Sequence, residues 1–135
     1  MAVIDASVYV ALVNEQEDAH EASISWFHKA VLSGESMVAP VIILAEVAAA
    51  ISRGVGNPVL AHRTISQLQN SRIIRLQQVS AELGARAAAI AADYKIRGCD
   101  SIYVALAEQM GSVLVTLDGQ QLERGTEVIE VRVPW

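Results

Sequence analysis

Short apolar runs alternate with longer amphipathic stretches along this chain, which predicts strands each followed by a helix. Ala2-Val3-Ile4-Asp5 reads as a short buried strand, and Ala6 to Val13 forms a helix directly after it. From Asp18 to Ser33, the residues Ala19, Ala22, Trp26, Ala30 and Val31 fall at helical spacing with polar residues between them, and Gly34 suits the stop. Met37 to Ala39 is a second strand. Pro40 suits the first turn of the next helix, which carries Glu46 and ends at Gly54-Val55-Gly56.

Further on, Asn57-Pro58 pairs a capping residue with proline at the first helical position and opens a helix to about Asn70. Ile73-Ile74 is a third strand, and Ser80 caps a helix from Ala81 to about Lys95. Asp100 begins a helix to Met110 that Gly111 terminates. Residues 113–116 form a strand, Gln120 to Arg124 one helical turn, and Val128 to Val131 a last strand. Strands alternating with helices favour an α/β fold with a parallel sheet. No repeat, low-complexity tract or linker interrupts residues 1–135, so one domain is expected.

The polar positions inside this pattern carry the chemistry. Asp5 ends one apolar run and Asp118 follows Val113-Leu114-Val115, both at the carboxyl ends of expected strands, where ligands collect in parallel sheets. Asp5 also suits a helix N-cap, Asp100 an ordinary helix start, and Asp118-Gly119 a turn. Glu46 answers to neither capping nor turn chemistry, because it interrupts Val41-Ile42-Ile43-Leu44-Ala45 and Val47-Ala48-Ala49-Ala50-Ile51. A carboxylate in such company needs compensation for lost hydration. A buried ion pair recovers that cost poorly. A divalent cation with hard oxygen ligands, drawing carboxylates from separate parts of the chain, is the economical alternative. Ser7 and Thr116, two residues from Asp5 and Asp118, are candidates to steady these groups through their hydroxyls.

Composition narrows the class. With 53% hydrophobic residues but only 4% aromatics, the core is aliphatic and alanine-rich. The excess over ordinary soluble domains fits either tight alanine packing or a buried subunit interface. No run reaches membrane-helix length, and the strand-like segment at residue 2 leaves no room for a signal peptide. Cys99 is the only cysteine, excluding a disulfide framework and a thiolate metal cluster. A cytoplasmic protein is expected. His20 and His28 stand eight positions apart, about 12 Å along a helix, too far to share a metal, and His62 is isolated. There is no nucleophile-elbow motif, and Gly54-Val55-Gly56 lacks the third glycine of a dinucleotide loop.

Net charge is −5, which argues against broad nucleic-acid binding. Its distribution points the other way. Residues 1–52 hold seven acids and one base, whereas residues 53–97 hold seven bases and two acids, and these cations, Arg53, Lys95 and Arg97 among them, are candidates to hold phosphates beside a carboxylate pocket that holds metal. Separately solvated helix faces explain the same bases equally well.

Val3-Ile4-Asp5-Ala6-Ser7, Leu44-Ala45-Glu46-Val47, Cys99-Asp100-Ser101-Ile102-Tyr103-Val104-Ala105-Leu106-Ala107 and Val115-Thr116-Leu117-Asp118 together resemble the four acidic motifs of PIN domains, over essentially the whole chain. The nearest resemblance is to stand-alone PIN proteins of the VapC toxin type. It implies a three-layer α/β/α domain with a mainly parallel central sheet and a Mg2+- or Mn2+-dependent endoribonuclease. By position, Asp5, Glu46, Asp100 and Asp118 become the catalytic and metal-binding acids, with Ser7 and Thr116 in support. An antitoxin partner and a homodimer are implied by the family alone. Gln120 and Gln121 stand where a further acid would strengthen a second metal site. A phosphatase using Asp5 as nucleophile is disfavoured because Ser7 replaces its usual second aspartate. A PIN-like module that binds RNA or protein without cutting is the rival from another class.

Overall fold

The computed structural model describes residues 1–135. Its elements run β1 (Ala2–Ile4), α1 (Ala6–Val13), α2 (His20–Leu32), β2 (Met37–Pro40), α3 (Ile43–Ala50), α4 (Pro58–Gln69), β3 (Ile74–Gln77), α5 (Ala81–Tyr94), α6 (Gly98–Met110), β4 (Val113–Val115), α7 (Gly119–Arg124) and β5 (Val131–Arg132). The strands form one sheet in the order β3-β2-β1-β4-β5, and every pairing is parallel. With helices on its faces, this is a three-layer α/β/α fold whose sheet is parallel throughout.

The reason is visible in the strands. All residues of β1 and β2 are buried, as expected of short apolar strands covered on both faces. β3, at the sheet edge, carries the mixed sequence Ile74-Arg75-Leu76-Gln77 and buries only Ile74. Val3, Ile4, Val38, Tyr103, Leu106 and Leu114 join one aliphatic core between sheet and helices.

Local signals behave as the sequence suggests at several helix starts. Asn57 Oδ1 accepts from the Leu60 amide at 3.0 Å, with Pro58 in the first turn, and Ser80 Oγ accepts from the Leu83 amide at 3.1 Å. Elsewhere the structure differs. Pro40 closes β2 rather than opening α3. The pairing of β1 with β2 reaches only Val38, whereas β3 continues alongside to Pro40, so the proline's missing amide leaves no ladder bond unmade on the β1 side. α3 is followed by a π-helical turn over Ile51–Val55, which ends at Gly56 in the left-handed region at φ 73°. α6 starts at Gly98, placing Asp100 inside its first turn instead of at its cap. β3 extends to Gln77, and β5 is displaced to Val131–Arg132 behind a 3-10 turn at Gly125–Glu127.

The topology reverses at β1. The chain moves outward through β2 and β3, then returns to the other side of β1 for β4 and β5. A crevice is expected beyond the carboxyl ends of β1 and β4, where the following segments diverge. No helix is long and apolar enough to cross a membrane.

Candidate active site

Asp5 leaves the end of β1 and caps α1, with an extended backbone and its carboxylate turned back onto the Ser7 amide at 3.2 Å. Capping and site geometry are thus one arrangement. The same Oδ2 also accepts from the Ser7 hydroxyl and, at 3.0 Å, from Thr116 Oγ1 at the end of β4. Ser7 Oγ in turn accepts from the Leu117 amide at 3.0 Å, and Thr116 Oγ1 from the Asp118 amide at 3.0 Å. The two hydroxyls therefore tie the segments after β1 and β4 together. Asp5 is only 4% exposed, yet none of its charge is left without donors.

Asp118 caps α7, its Oδ1 accepting from the amides of Gln120 at 2.9 Å and Gln121 at 3.0 Å. The turn expected at Asp118-Gly119 is this helix start. Asp100, in the first turn of α6, is buried. Arg97 joins the two, with Nε 2.8 Å from Asp100 Oδ2 and a terminal nitrogen 2.8 Å from Asp118 Oδ2. Glu46 is half-buried, because Ala45, Ala49 and Ala50 face solvent while Ile43, Val47 and Ile51 turn inward. Its Oε1 accepts a short hydrogen bond from the hydroxyl of Tyr103, which is fully buried on α6.

Asp5, Glu46, Asp100 and Asp118 line one open pocket of roughly 560 Å3, together with Ser7 and Arg97. Electrostatics there are strained toward too much negative charge. Burial pushes the Glu46 carboxyl above its usual range, and the charges on Asp5 and Asp100 push the same way against the Tyr103 hydrogen bond and Arg97. Burial likewise raises Asp100, with Asp118 and Asp5 adding to it and Arg97 opposing. Tyr103 is raised by burial and by its bond to Glu46, so it stays a hydrogen-bond donor.

The donor set is oxygen-only and acidic, which suits a hard divalent cation. As they stand, no three acidic, histidine or cysteine side chains form a ready ligand group. The Arg97 guanidinium spans Asp100 and Asp118. Of the other basic candidates, Lys95 is exposed at the end of α5, and its carbonyl accepts from Arg124. Arg53 is exposed on the π-helical turn and does not line the pocket.

Two site residues escaped the sequence reading. Tyr103 lies one helical turn beyond Asp100, and Gln121 lies three residues beyond Asp118, with its side-chain amide donating to Asp5 and Asp100. Their i,i+3 spacing from an acid was the available signal. Tyr103→Phe is expected to lower metal-free stability at neutral pH by about 1.5–3 kcal/mol, the worth of a hydrogen bond to a charged group. Urea denaturation of parent and variant in EDTA measures it, and equal midpoints and slopes would show that the hydroxyl contributes nothing.

A parallel α/β/α sheet with four acids gathered beyond β1 and β4 defines an acidic-site α/β domain. The PIN domain family matches residues 2–126, and the chain belongs to that family. Among solved structures it is similar to the Mycobacterium tuberculosis toxin VapC20, described as cleaving the sarcin-ricin loop, at 18% identity and a TM-score of 0.73, over 88% of this chain and 91% of that one. FitAcB from Neisseria gonorrhoeae matches at 20% identity and a TM-score of 0.74, over 100% and 99%. A toxin-antitoxin complex from Klebsiella pneumoniae matches at 16% identity and a TM-score of 0.68, over 100% and 98%. At these identities the likeness is one of fold. None of the curated proteins compared matches the sequence.

Proposed function

We propose that this chain is a single PIN domain over residues 1–135 that acts as a divalent-metal-dependent endoribonuclease, the toxin of a toxin-antitoxin pair. The observation that carries the reading is the gathering of Asp5, Glu46, Asp100 and Asp118 around one pocket at the point where the sheet topology reverses. Membership of the PIN family and likeness in fold to VapC20, a cleaving toxin, support it.

Asp5 and Asp100 are the proposed direct ligands of Mg2+ or Mn2+, with Glu46 and Asp118 assisting directly or through water. When bound, the cation supplies charge to neutralise a phosphodiester and acidity to activate a water. The chain's own residues do the rest. Ser7 and Thr116 hold Asp5 in place, and Tyr103 fixes one oxygen of Glu46, leaving the other free to orient water. Arg53, Lys95 and Arg97 are the proposed contacts to RNA phosphates. An antitoxin is the proposed protein partner, supported by the toxin-antitoxin complex of like fold. The 53% hydrophobic composition supports a homodimer, with the cytoplasm as its proposed location.

RNA cleavage is expected with Mg2+ or Mn2+ and none in EDTA, leaving 5′-phosphate and 3′-hydroxyl ends because water, not the ribose 2′-hydroxyl, attacks. End-group analysis checks this. Undiminished cleavage in chelator, or 2′,3′-cyclic phosphate products, would exclude the reading. RNA or protein binding without any cleavage would instead support the non-catalytic module.

A further inference from the structure

Beneath the pocket, out of contact with solvent, lies a side chain whose chemistry the acids alone do not require. Gln121 is 0% exposed and reaches up from the first turn of α7. Its Nε2 stands 3.1 Å from Asp5 Oδ1 and 3.1 Å from Asp100 Oδ1. Its backbone amide donates to Asp118 Oδ1 at 3.0 Å. One residue thus touches three of the four acids, although they come from three separate stretches of chain.

The amide orientation follows from charge. Turned over, the amide would set its own oxygen against two carboxylate oxygens, with no proton between them. As placed, both N–H groups are used and the carbonyl Oε1 has no partner. A buried carbonyl without a partner is costly, and an apolar residue of like volume would avoid that cost. Packing alone therefore does not account for glutamine here; what Nε2 does for the two carboxylates accounts for it.

We infer that Gln121 is a positioning residue that clamps the Oδ1 oxygens of Asp5 and Asp100 from behind and thereby sets both carboxylates for a divalent cation. Resting on the nuclease reading above, this inference adds a residue to that same site. The clamp fixes the angle between two acids that would otherwise repel. It also leaves Asp100 Oδ2 facing the pocket, where its partner is the exposed and displaceable Arg97. Partners of this kind, one step behind the ligands, commonly govern metal affinity.

The test compares the parent with Gln121→Met, which keeps the volume and removes both donors, and Gln121→Asn, whose amide is too short to span both acids. Circular dichroism and melting in EDTA establish that each variant folds. Binding of Mn2+ alone is read from loss of the free-ion electron paramagnetic resonance signal, and kcat and KM are measured on one RNA. Both variants are expected to bind Mn2+ about 10–100-fold more weakly, with kcat falling and KM unchanged. A purely structural role would lower melting but leave the Mn2+ affinity of the folded protein alone, and that result overturns the inference. Should the methionine variant fail to fold, the asparagine variant decides on the same terms; failure of both makes the residue structural and also overturns it. A parent that binds no Mn2+ and cuts no RNA removes the nuclease reading itself. A parent that does both, with variants that match it, removes only the role of Gln121.

Discussion

Asp100→Asn is expected to abolish RNA cleavage while leaving the metal-free protein as stable as the parent or more so, whereas Asp5→Asn is expected to abolish cleavage and lower stability. For a proposed direct ligand the loss of cleavage should exceed about 100-fold, the upper range for partners that only support ligands. The two stability effects part because of what each carboxylate accepts. Asp100 holds a raised pKa, set first by burial and reinforced by Asp118 and Asp5. A folded pKa above the unfolded value means that the folded state binds more protons. Its stabilising effect is present at low pH and is lost as pH rises from the usual carboxylate value through the folded one.

At neutral pH the charged Asp100 is thus a liability, and asparagine removes it. The lost ion pair to Arg97 offsets little, because that side chain is 64% exposed and well screened. Asp5 differs. Its Oδ2 takes donors from the Ser7 amide, the Ser7 hydroxyl and Thr116, and its Oδ1 takes Gln121. An asparagine amide must place a donor against one of these sets, so about 1–3 kcal/mol should be lost. Melting in EDTA across pH checks both halves. The parent should lose stability as pH rises through the window of Asp100 and Glu46, and Asp100→Asn should lose less. Glu108 works the other way, since Arg86 lowers its pKa, but that pair is at the surface and contributes little. If Asp100→Asn melts well below the parent at neutral pH, the repulsion argument is wrong.

Much of this fold was legible because its signals are local. The apolar run before Asp5, the Asn57-Pro58 start and the Ser80 cap each act within a few residues, and each forms as read. The acids at strand ends were legible for a related reason: parallel topology fixes where such ends meet. What was not legible depends on distant partners. Pro40 sits in a strand because β3 runs past the pairing of β1, a fact about register rather than about proline. β5 has two paired residues, and their place is chosen by β4. Glu46 stands in an apolar sequence but on a half-exposed helix, since several of its alanine neighbours face water. Tyr103 meets Glu46 across 57 residues of chain, and Gln121 meets Asp5 across 116, so the spacing of each from a nearby acid does not name the distant partner it reaches. Gln121 registered only as the absence of another acid.

Arg97→Ala is expected to make the metal-free protein less stable and its response to Mn2+ larger. The guanidinium stands 2.8 Å from both Asp100 and Asp118, a charge-assisted bridge between two acids that otherwise repel. Burial does not hold it there, because it is 64% exposed; its hydrogen bonds to the two acids and their field do. A cation that binds Asp100 competes with that field, and removing the arginine removes the competitor. Because water screens both ion pairs of so exposed a side chain, the metal-free cost should be no more than about 1 kcal/mol. Mn2+ affinity should rise by about tenfold, equivalent to some 1.4 kcal/mol. Because binding to the native state stabilises it by an amount that grows with the logarithm of free ligand over Kd, the melting increase on adding Mn2+ should exceed that of the parent. RNA affinity measured with the metal present should fall in the same variant, with a shallower salt dependence, if the displaced guanidinium meets phosphate. Unchanged Mn2+ affinity would mean that the arginine leaves the acids without cost. Weaker Mn2+ binding would mean that it organises them, and the competition argument would then fail.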